Sequence, residues 1–203
     1  TADSSKDAIV VRGGAISNDA NHISGPSRDG SGLFYAISSA MKNAGIDVSD
    51  VDFLNLHGTA TVYNDEMEAK AVHLSALEQV PINSLKSYFG HTLGASGIIE
   101  SIVCMYQLKN HIVYGTKGYL ESGTSMGLKV SGEAQRIDKS SVCVKTVSGF
   151  GGCNAALVLS TSGKECEKKL EKASIELLKS CQIEQSSIVI NNSNRFNGLS
   201  DDF

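Results

Sequence analysis

Two short apolar segments of this chain each run into a turn that carries a histidine, and this pairing limits how the chain can fold. Residues 51–56 are apolar enough for a strand and lead directly to His57. Further along, a short extended piece begins at Pro81, and residues 84–97 after it place Lys86 and His91 among glycines, serines and threonines. A histidine held by the backbone of such a turn can still face a cavity, and two of them can direct N–H groups at one oxygen. This arrangement suits chemistry in which an enolate is stabilised without a metal ion.

Strand-like and helix-like segments alternate along the chain, which predicts an α/β fold whose sheet is covered by helices. Strands are expected over residues 8–17, 51–56, 142–147 and 155–159, and helices over residues 33–44, 64–77 and 94–108. Gly13 and Gly14 should interrupt the first strand, and Gly45 should end the first helix. Asn64 or Asp65 should cap the second helix. The third helix is so apolar that a buried position is expected for it.

The composition excludes several classes of function. The chain of 203 residues is 41% hydrophobic with a net charge of −4, so neither disorder nor nucleic-acid binding is expected. No apolar run is long enough for a membrane span, and the first residues lack the order of a signal peptide. The five cysteines show no CxxC pair and no metal-ligand spacing, so no metal and no cofactor are expected. Cys104, Cys143 and Cys153 should be core residues, and a reducing cytoplasm is the simplest compartment.

The composition changes after Ser162, which predicts a boundary there. Residues 1–162 would form the α/β domain, and residues 163–203 a charged extension to which the sequence assigns no role. Within that extension we expect a solvated helix over residues 164–178, one further strand over residues 187–191 and a polar tail.

Five short motifs follow one another in a fixed order, and together they resemble the carboxy-terminal half of the β-ketoacyl–acyl-carrier-protein synthases. They are His57-Gly-Thr-Ala-Thr61, Asn64-Asp-Glu-Met-Glu68, Lys86-Ser87, Gly90-His-Thr-Leu-Gly-Ala-Ser-Gly97 and Gly149-Phe-Gly-Gly-Cys-Asn154. Residues 17–26 and 29–30 are similar to that family as well. The resemblance implies a thiolase-like fold, in which two similar α/β halves stack. This chain would be the second half, a mixed sheet covered by helices, and alone it should expose an apolar face.

The resemblance also implies roles for particular residues. His57 and His91 match the histidines that, as neutral N–H donors, bind the oxygen of the malonyl thioester. Lys86 matches the lysine that orients the site electrostatically. Phe150, preceded by Gly149, matches a gating phenylalanine whose N–H contributes to an oxyanion hole. Supporting positions are Thr59, Thr61, Asp65, Glu68 and Glu100, of which the acidic ones lie near a bound monovalent cation in some members.

Some of these residues have simpler alternative roles. Asp65 and Glu68 could serve only the dipole of the helix that they begin. Ser148 stands where many members of the family have an aromatic residue, and Thr146 stands where asparagine is common. These two differences bear on the geometry of the gate and not on the fold.

The implied reaction is the decarboxylative Claisen condensation of an acyl thioester with malonyl-acyl carrier protein, in fatty acid, polyketide or polyene synthesis. The implied partners are acyl carrier protein with phosphopantetheine-linked acyl and malonyl groups, the missing amino-terminal half, and a second subunit in a homodimer or heterodimer. The nucleophilic cysteine belongs to that amino-terminal half. None of the cysteines here lies on a sharp strand-to-helix turn, so the chain alone is expected to be inactive.

Two other functional classes stay open. The first is a non-catalytic partner like the chain-length-factor subunits, which usually lose the catalytic histidines; retention of His57, Lys86 and His91 favours the synthase. The second is a thiolase-like acyltransferase that uses acyl-coenzyme A. The pair of histidine motifs favours substrates bound to carrier protein over that alternative.

Overall fold

The computed structural model describes residues 8–138 and 141–161 of the chain. The strands are β1 (Ile9–Asn18), β2 (Phe53–Asn55), β3 (Ile82–Asn83), β4 (Ile112–Val113), β5 (Gln135–Arg136), β6 (Val142–Gly149) and β7 (Cys153–Thr161). The helices are α1 (Ser31–Ala44), α2 (Val62–Leu74), α3 (Lys86–Phe89) and α4 (Ser96–Asn110). The boundary after Ser162, and the helix and strand expected beyond it, lie outside the described residues.

The central feature is a mixed sheet of five strands in the order β1-β7-β6-β2-β3. The pairs β1–β7 and β7–β6 are antiparallel, whereas β6–β2 and β2–β3 are parallel. The carboxyl ends of β2, β3 and β6 therefore meet at one edge of the sheet. The segments that leave this edge carry the two histidine motifs and the Phe150 turn.

Alternate residues of the central strands supply two cores on opposite faces of the sheet. Leu54 and Val144 pack in a cluster with residues of α1 and α2. Phe53 and Cys143 pack in a second cluster with residues of α4. The predicted arrangement, a mixed sheet covered by helices, is confirmed.

The first strand approaches α1 closely at Gly13. A Cβ atom there would lie 2.6 Å from the carbonyl oxygen of Ala40, whereas one at Gly14 would make an ordinary contact of 3.4 Å with Leu157. The expected interruption of this strand is wrong. β1 continues through both glycines, with a register shift against β7 between Val11 and Gly13.

The predicted end of α1 is confirmed, but the predicted start of α2 is wrong. Gly45 follows α1 with a φ of 62°, in the left-handed region that glycine adopts readily. α2 begins at Val62, immediately after the extended residue Thr61. Asn64 and Asp65 therefore lie inside the first turn, where a carboxylate still interacts favourably with the helix dipole.

Helix α4 differs most from its predicted environment. Ile98, Ile102 and Tyr106 follow one another at intervals of four residues and are 69%, 59% and 61% exposed. A buried position for this apolar side is therefore wrong for the chain by itself. The expected exposed apolar side chains of an isolated half are present, and these three belong to them.

Polar side chains of α4 occupy the interior instead, because other elements provide partners for them. Glu100 is buried and accepts a hydrogen bond from Lys86 at 2.7 Å. Gln107 is buried and accepts one from Asn83 at 2.8 Å. Among the described residues, none of the helices is long and apolar enough to cross a membrane.

Candidate active site

His57 lies just beyond β2, in a turn that Glu68 of α2 holds. The carboxylate oxygens of Glu68 accept hydrogen bonds from the backbone N–H of His57 at 2.8 Å and of Gly58 at 2.7 Å. Gly58 has a φ of +48°, and a Cβ atom there would collide with Ser84. Burial raises the pKa of Glu68, although these two N–H groups oppose that shift. Glu68 thus fixes the direction in which His57 enters the site.

Lys86, the first residue of α3, joins this turn to the second histidine motif. Its Nζ lies 2.5 Å from the carbonyl oxygen of His57 and 3.1 Å from His57 Nδ1. An ammonium group donates and cannot accept, so Nδ1 is the acceptor and the imidazole proton is assigned to Nε2. Burial, reinforced by the charges of Lys86 and Lys145, lowers the pKa of His57 from 6.5 to about 3. Near neutral pH, His57 is therefore an uncharged Nε2–H donor.

His91 follows α3 and meets the ring of His57. The two ring centroids are 5.1 Å apart, and the ring planes make an angle of 81°. His91 is exposed, and its Nδ1 accepts a hydrogen bond from the backbone N–H of Leu93 at 3.2 Å. This bond assigns the proton of His91 to Nε2 as well. Both neighbouring rings are therefore assigned an Nε2–H group.

A set of buried charges lies behind the histidines, and it includes Lys145, which the sequence analysis missed. Lys145 of β6 is 2% exposed, and its Nζ lies 2.6 Å from Glu100 Oε2 and 2.5 Å from the carbonyl oxygen of Thr146. The contact with Glu100 has the distance of an ion pair without the direction of a hydrogen bond. Burial lowers the pKa of Lys86, whereas Glu100 raises it. The sequence does contain a signal for this residue, because a charged side chain inside the apolar segment 142–147 needs a buried partner.

The turn after β6 carries Phe150, whose side chain is 83% exposed. Gly149 ends β6, and β6 runs parallel to β2, so this turn leaves the same edge of the sheet as His57. Gly151 has a φ of +81° and donates its N–H to the carbonyl oxygen of Ile23 at 2.6 Å. The loop after β1 therefore holds the backbone of the turn.

Ser148, one of the two departures from the family pattern, takes part in the same anchoring. Its Oγ donates a hydrogen bond to Asn154 Oδ1 at 2.8 Å. Asn154 Nδ2 donates to Asp19 Oδ1 at 2.7 Å, and the backbone N–H of Asp19 donates to the carbonyl oxygen of Gly152 at 2.8 Å. The serine thus links both strands that flank the turn to the loop after β1.

The remaining supporting residues lie at the start of α2. The hydroxyl oxygens of Thr59 and Thr61 are 2.9 Å apart, and Asn64 Nδ2 donates to Thr59 Oγ1 at 3.0 Å. Burial raises the pKa of Asp65, whereas backbone N–H groups of residues 59–61 lower it. Thr146 Oγ1 lies 3.5 Å from an oxygen of Glu68, which places the second family departure beside the His57 turn.

A cavity of about 670 Å³ opens beside these residues. Thr59, Asp65, Lys86 and His91 contribute to its wall, together with residues 116–124. This volume lies in the range of small-molecule and cofactor sites. The described residues contain no group of three or more histidine, cysteine, aspartate or glutamate side chains that could hold a metal ion.

The cysteines are not placed alike. Cys104 and Cys143 are buried, as predicted, and burial raises the pKa of the Cys143 thiol well above its ordinary value. The prediction of a core position for Cys153 is wrong. Cys153 is exposed because it begins β7 directly after the Phe150 turn. It is the first residue of a strand, so it does not have the strand-to-helix setting expected of the nucleophile.

The comparison with known families agrees with this geometry. Residues 8–119, more than half of the chain, match the family model described as "Beta-ketoacyl synthase, C-terminal domain". The chain belongs to the β-ketoacyl synthase family. The domain is 33% identical over 152 residues to the 3-oxoacyl-[acyl-carrier-protein] synthase 2 of Rhizobium meliloti (strain 1021). That alignment covers 73% of this chain and 36% of the relative.

Solved ketosynthase structures share the fold of this β-ketoacyl synthase domain. One is AntDE:AntF, a type II polyketide acyl carrier protein in complex with its ketosynthase, with a TM-score of 0.70, 28% identity, and coverage of 75% and 38% of the two chains. Another is the ketosynthase ApeO in complex with its chain length factor ApeC from Xenorhabdus doucetiae, with a TM-score of 0.68, 34% identity, and coverage of 76% and 39%. The thiolase-like fold is thereby confirmed, and the chain spans little more than a third of these relatives.

Proposed function

We propose that this domain forms the malonyl-binding side of the active site of a 3-oxoacyl-[acyl-carrier-protein] synthase. The observation that carries the proposal is the pair of imidazoles with centroids 5.1 Å apart, each of which uses Nδ1 as an acceptor. Each ring then keeps its Nε2–H for the oxygen of a thioester carbonyl. Donors fixed in advance act most strongly on an oxygen that gains charge in the transition state.

In the proposed reaction, the carbonyl oxygen of a malonyl thioester lies between His57 and His91. The bond from the malonyl α-carbon to the carboxylate breaks, carbon dioxide leaves, and the electron pair forms an enolate whose charge falls on that oxygen. The enolate carbon attacks the acyl thioester on the cysteine of the amino-terminal half, and the carbon–sulfur bond breaks to release the thiolate. Because the pKa of His57 is about 3, its neutral ring binds the enolate without being a strong acid towards it.

The substrates proposed are acyl and malonyl groups on the phosphopantetheine arm of acyl carrier protein. One similar solved structure contains an acyl carrier protein with its ketosynthase, which supports this class of substrate. The cavity of about 670 Å³ beside Lys86 and His91 offers space for an extended arm. A dimer, with a like or an unlike subunit, is proposed by analogy with the ketosynthase–chain length factor complex.

A non-catalytic partner subunit is the second candidate, because two similar structures include chain length factors. The contacts that hold His57, Lys86 and His91 favour the catalytic role. Burying the Lys86 ammonium and a neutral histidine costs stability, and proteins accept such costs mainly at functional sites. A subunit without chemistry would gain nothing from a fixed imidazole tautomer.

The proposal is tested in the assembled enzyme, in which this chain is combined with the part that supplies the nucleophilic cysteine. His57→Ala and His91→Ala should each lower malonyl decarboxylation by about a hundredfold or more. Acylation of the cysteine, followed by mass spectrometry, should persist because the histidines act on the malonyl oxygen. His73→Ala, at an exposed histidine of α2, is the matched control and should have no effect.

The two candidates give different results in this experiment. Decarboxylation that is insensitive to both substitutions would reject the catalytic role and favour the partner subunit. Condensation by this chain alone would contradict the assignment of the nucleophile to the missing half.

A further inference from the structure

Lys145 occupies a position where a charge is unfavourable. It lies in the middle of β6, between the buried residues Val144 and Thr146, and it is 2% exposed. A buried ammonium is tolerated only when it is paired and hydrogen-bonded. Its partners should therefore show what the lysine does.

Lys145 is one end of a chain of contacts that reaches His57. Its Nζ lies 2.5 Å from the carbonyl oxygen of Thr146 and 2.6 Å from Glu100 Oε2. The other oxygen, Glu100 Oε1, lies 2.7 Å from the Nζ of Lys86. Lys86 in turn contacts Nδ1 and the carbonyl oxygen of His57. The carboxylate of Glu100 is thus held at both oxygens, once by each lysine.

Removal of the Lys145 charge would release one end of this carboxylate. Glu100 is 2% exposed, so no water shell replaces the lost cation. The carboxylate would then draw the Lys86 ammonium towards itself and away from His57. With Nδ1 no longer bound to a cation, the imidazole of His57 could take either tautomer or accept a proton.

We propose that Lys145 is a positioning residue for His57: it holds one oxygen of Glu100, keeps the other on Lys86, and so keeps Lys86 on His57 Nδ1. This inference rests on the proposed function of His57 as an N–H donor to the thioester oxygen. Lys145 itself lies behind Glu100 and needs no contact with substrate.

The electrostatics around His57 act in the same direction. Lys86 and Lys145 both lower the pKa of His57, and burial is the largest cause. The titratable or charged groups around His57 are Lys86, Lys145, His91, Glu68 and Glu100. Substitution of Lys145 removes a cation and exposes the ring to the Glu100 charge, and both changes raise the pKa of His57.

The test reads the tautomer of His57 by NMR of isotope-labelled imidazole in the whole chain, with His57→Gln used to assign the signal. In the wild type, His57 should show the Nε2–H form without titration from about pH 5 to about pH 8. In Lys145→Met, the ring should show mixed tautomers or titrate within this range. Lys145→Arg keeps the charge and should restore the wild-type signal. An unchanged His57 signal in folded Lys145→Met would overturn the proposal.

Two further variants keep the test decisive. Val144→Ala, at the neighbouring buried residue on the other face of β6, should lower stability without changing the His57 signal. Lys145→Gln keeps an N–H donor for the Thr146 carbonyl without the charge, and it replaces the methionine variant if that variant does not fold. A folded glutamine variant with a wild-type His57 signal would equally reject the role.

A second readout separates this inference from the proposed function. In the assembled enzyme, Lys145→Met should lower decarboxylation on the order of tenfold at acidic pH, with a smaller loss at higher pH. A loss of equal size at every pH, with the His57 signal unchanged, would show a merely structural role. If the wild-type enzyme decarboxylated malonyl groups independently of His57, the proposed function would fail, and the NMR result would still decide what Lys145 does to His57.

Discussion

Lys86 contacts His57 at two atoms of the same residue, the carbonyl oxygen at 2.5 Å and Nδ1 at 3.1 Å. One cation therefore fixes both the backbone of the turn and the tautomer of the ring. Lys86 begins α3 and His57 follows β2, so the start of a helix and the end of a strand are joined at the site. Glu100 adds α4 to this arrangement. The stability of the sheet edge and the chemistry of the imidazole are thus coupled.

The first prediction concerns Lys86. Lys86→Met should lower malonyl decarboxylation in the assembled enzyme on the order of a hundredfold, because the His57 donor is no longer held in one tautomer. It should also lower the free energy of unfolding by about 3 kcal/mol or more, because the buried Glu100 loses one of its two cations. Decarboxylation assays and urea denaturation measure the two effects.

Lys117→Met is the matched control for this prediction. Lys117 is exposed and contributes to the same cavity as Lys86. Its substitution should change the free energy of unfolding by less than about 0.5 kcal/mol. Equal effects of the two substitutions would show that the cavity needs only positive charge and not the contact with His57.

The position of each histidine in a turn could be predicted from the sequence, because strand and turn composition are local properties. His57 follows a segment that the sequence predicts as a strand, and the structure adds β3 before Lys86, parallel to β2, so that both turns leave one edge of the sheet. The orientation of α4 could not be predicted in this way. Its apolar residues suggest a buried helix, yet Glu100 faces inward because Lys86 and Lys145 lie there. Those partners come from other elements, so no local pattern reveals them.

The other errors have a different origin. α2 starts where it does because Thr61 is extended. The sequence analysis instead named Asn64 or Asp65 as the cap, because both residue types are common at that position. The exposure of Cys153 depends on the length of the Phe150 turn and not on the apolar strand that follows. Each of these outcomes is set by backbone geometry over a few residues, where composition averaged over a segment carries little information.

The second prediction is an acid-dependent stability that arises from His57. Its pKa is about 3 in the folded protein against an ordinary value of 6.5. Between these values the unfolded chain binds a proton that the folded chain does not, so the free energy of unfolding falls as the pH drops through this window. One such group contributes a slope of at most about 1.4 kcal/mol per pH unit.

The variant His57→Gln isolates this effect, since it lacks the titrating ring. In urea denaturation, the stability of the wild type relative to this variant should rise with pH up to 6.5 and stay constant above it. A difference that does not vary with pH would mean that the folded protein protonates His57 as readily as the unfolded chain.

The third prediction concerns the contact of β1 with α1. Gly13→Ala should lower the free energy of unfolding by about 1–3 kcal/mol, because the added methyl group meets the backbone at Ala40 and Ala44. Gly14→Ala adds the same group one residue later, where its nearest contact is ordinary at 3.4 Å, so it should have little effect. Thermal or urea denaturation of the pair measures the difference. Equal stabilities would show that β1 and α1 separate at little cost.

The fourth prediction concerns the apolar face of α4. Ile98 and Ile102 are 69% and 59% exposed, and the chain spans only 36% of its Rhizobium meliloti relative, so this face should bind the part of the synthase that the chain lacks. The double variant Ile98→Glu, Ile102→Glu should fold normally but bind the amino-terminal part at least about a hundredfold more weakly, measured by sedimentation or calorimetry.

Leu74→Glu, at a residue of α2 that is 51% exposed, is the control and should bind like the wild type. Undiminished binding by the α4 variant, or equal weakening in the control, would place the contact between the two halves on another surface.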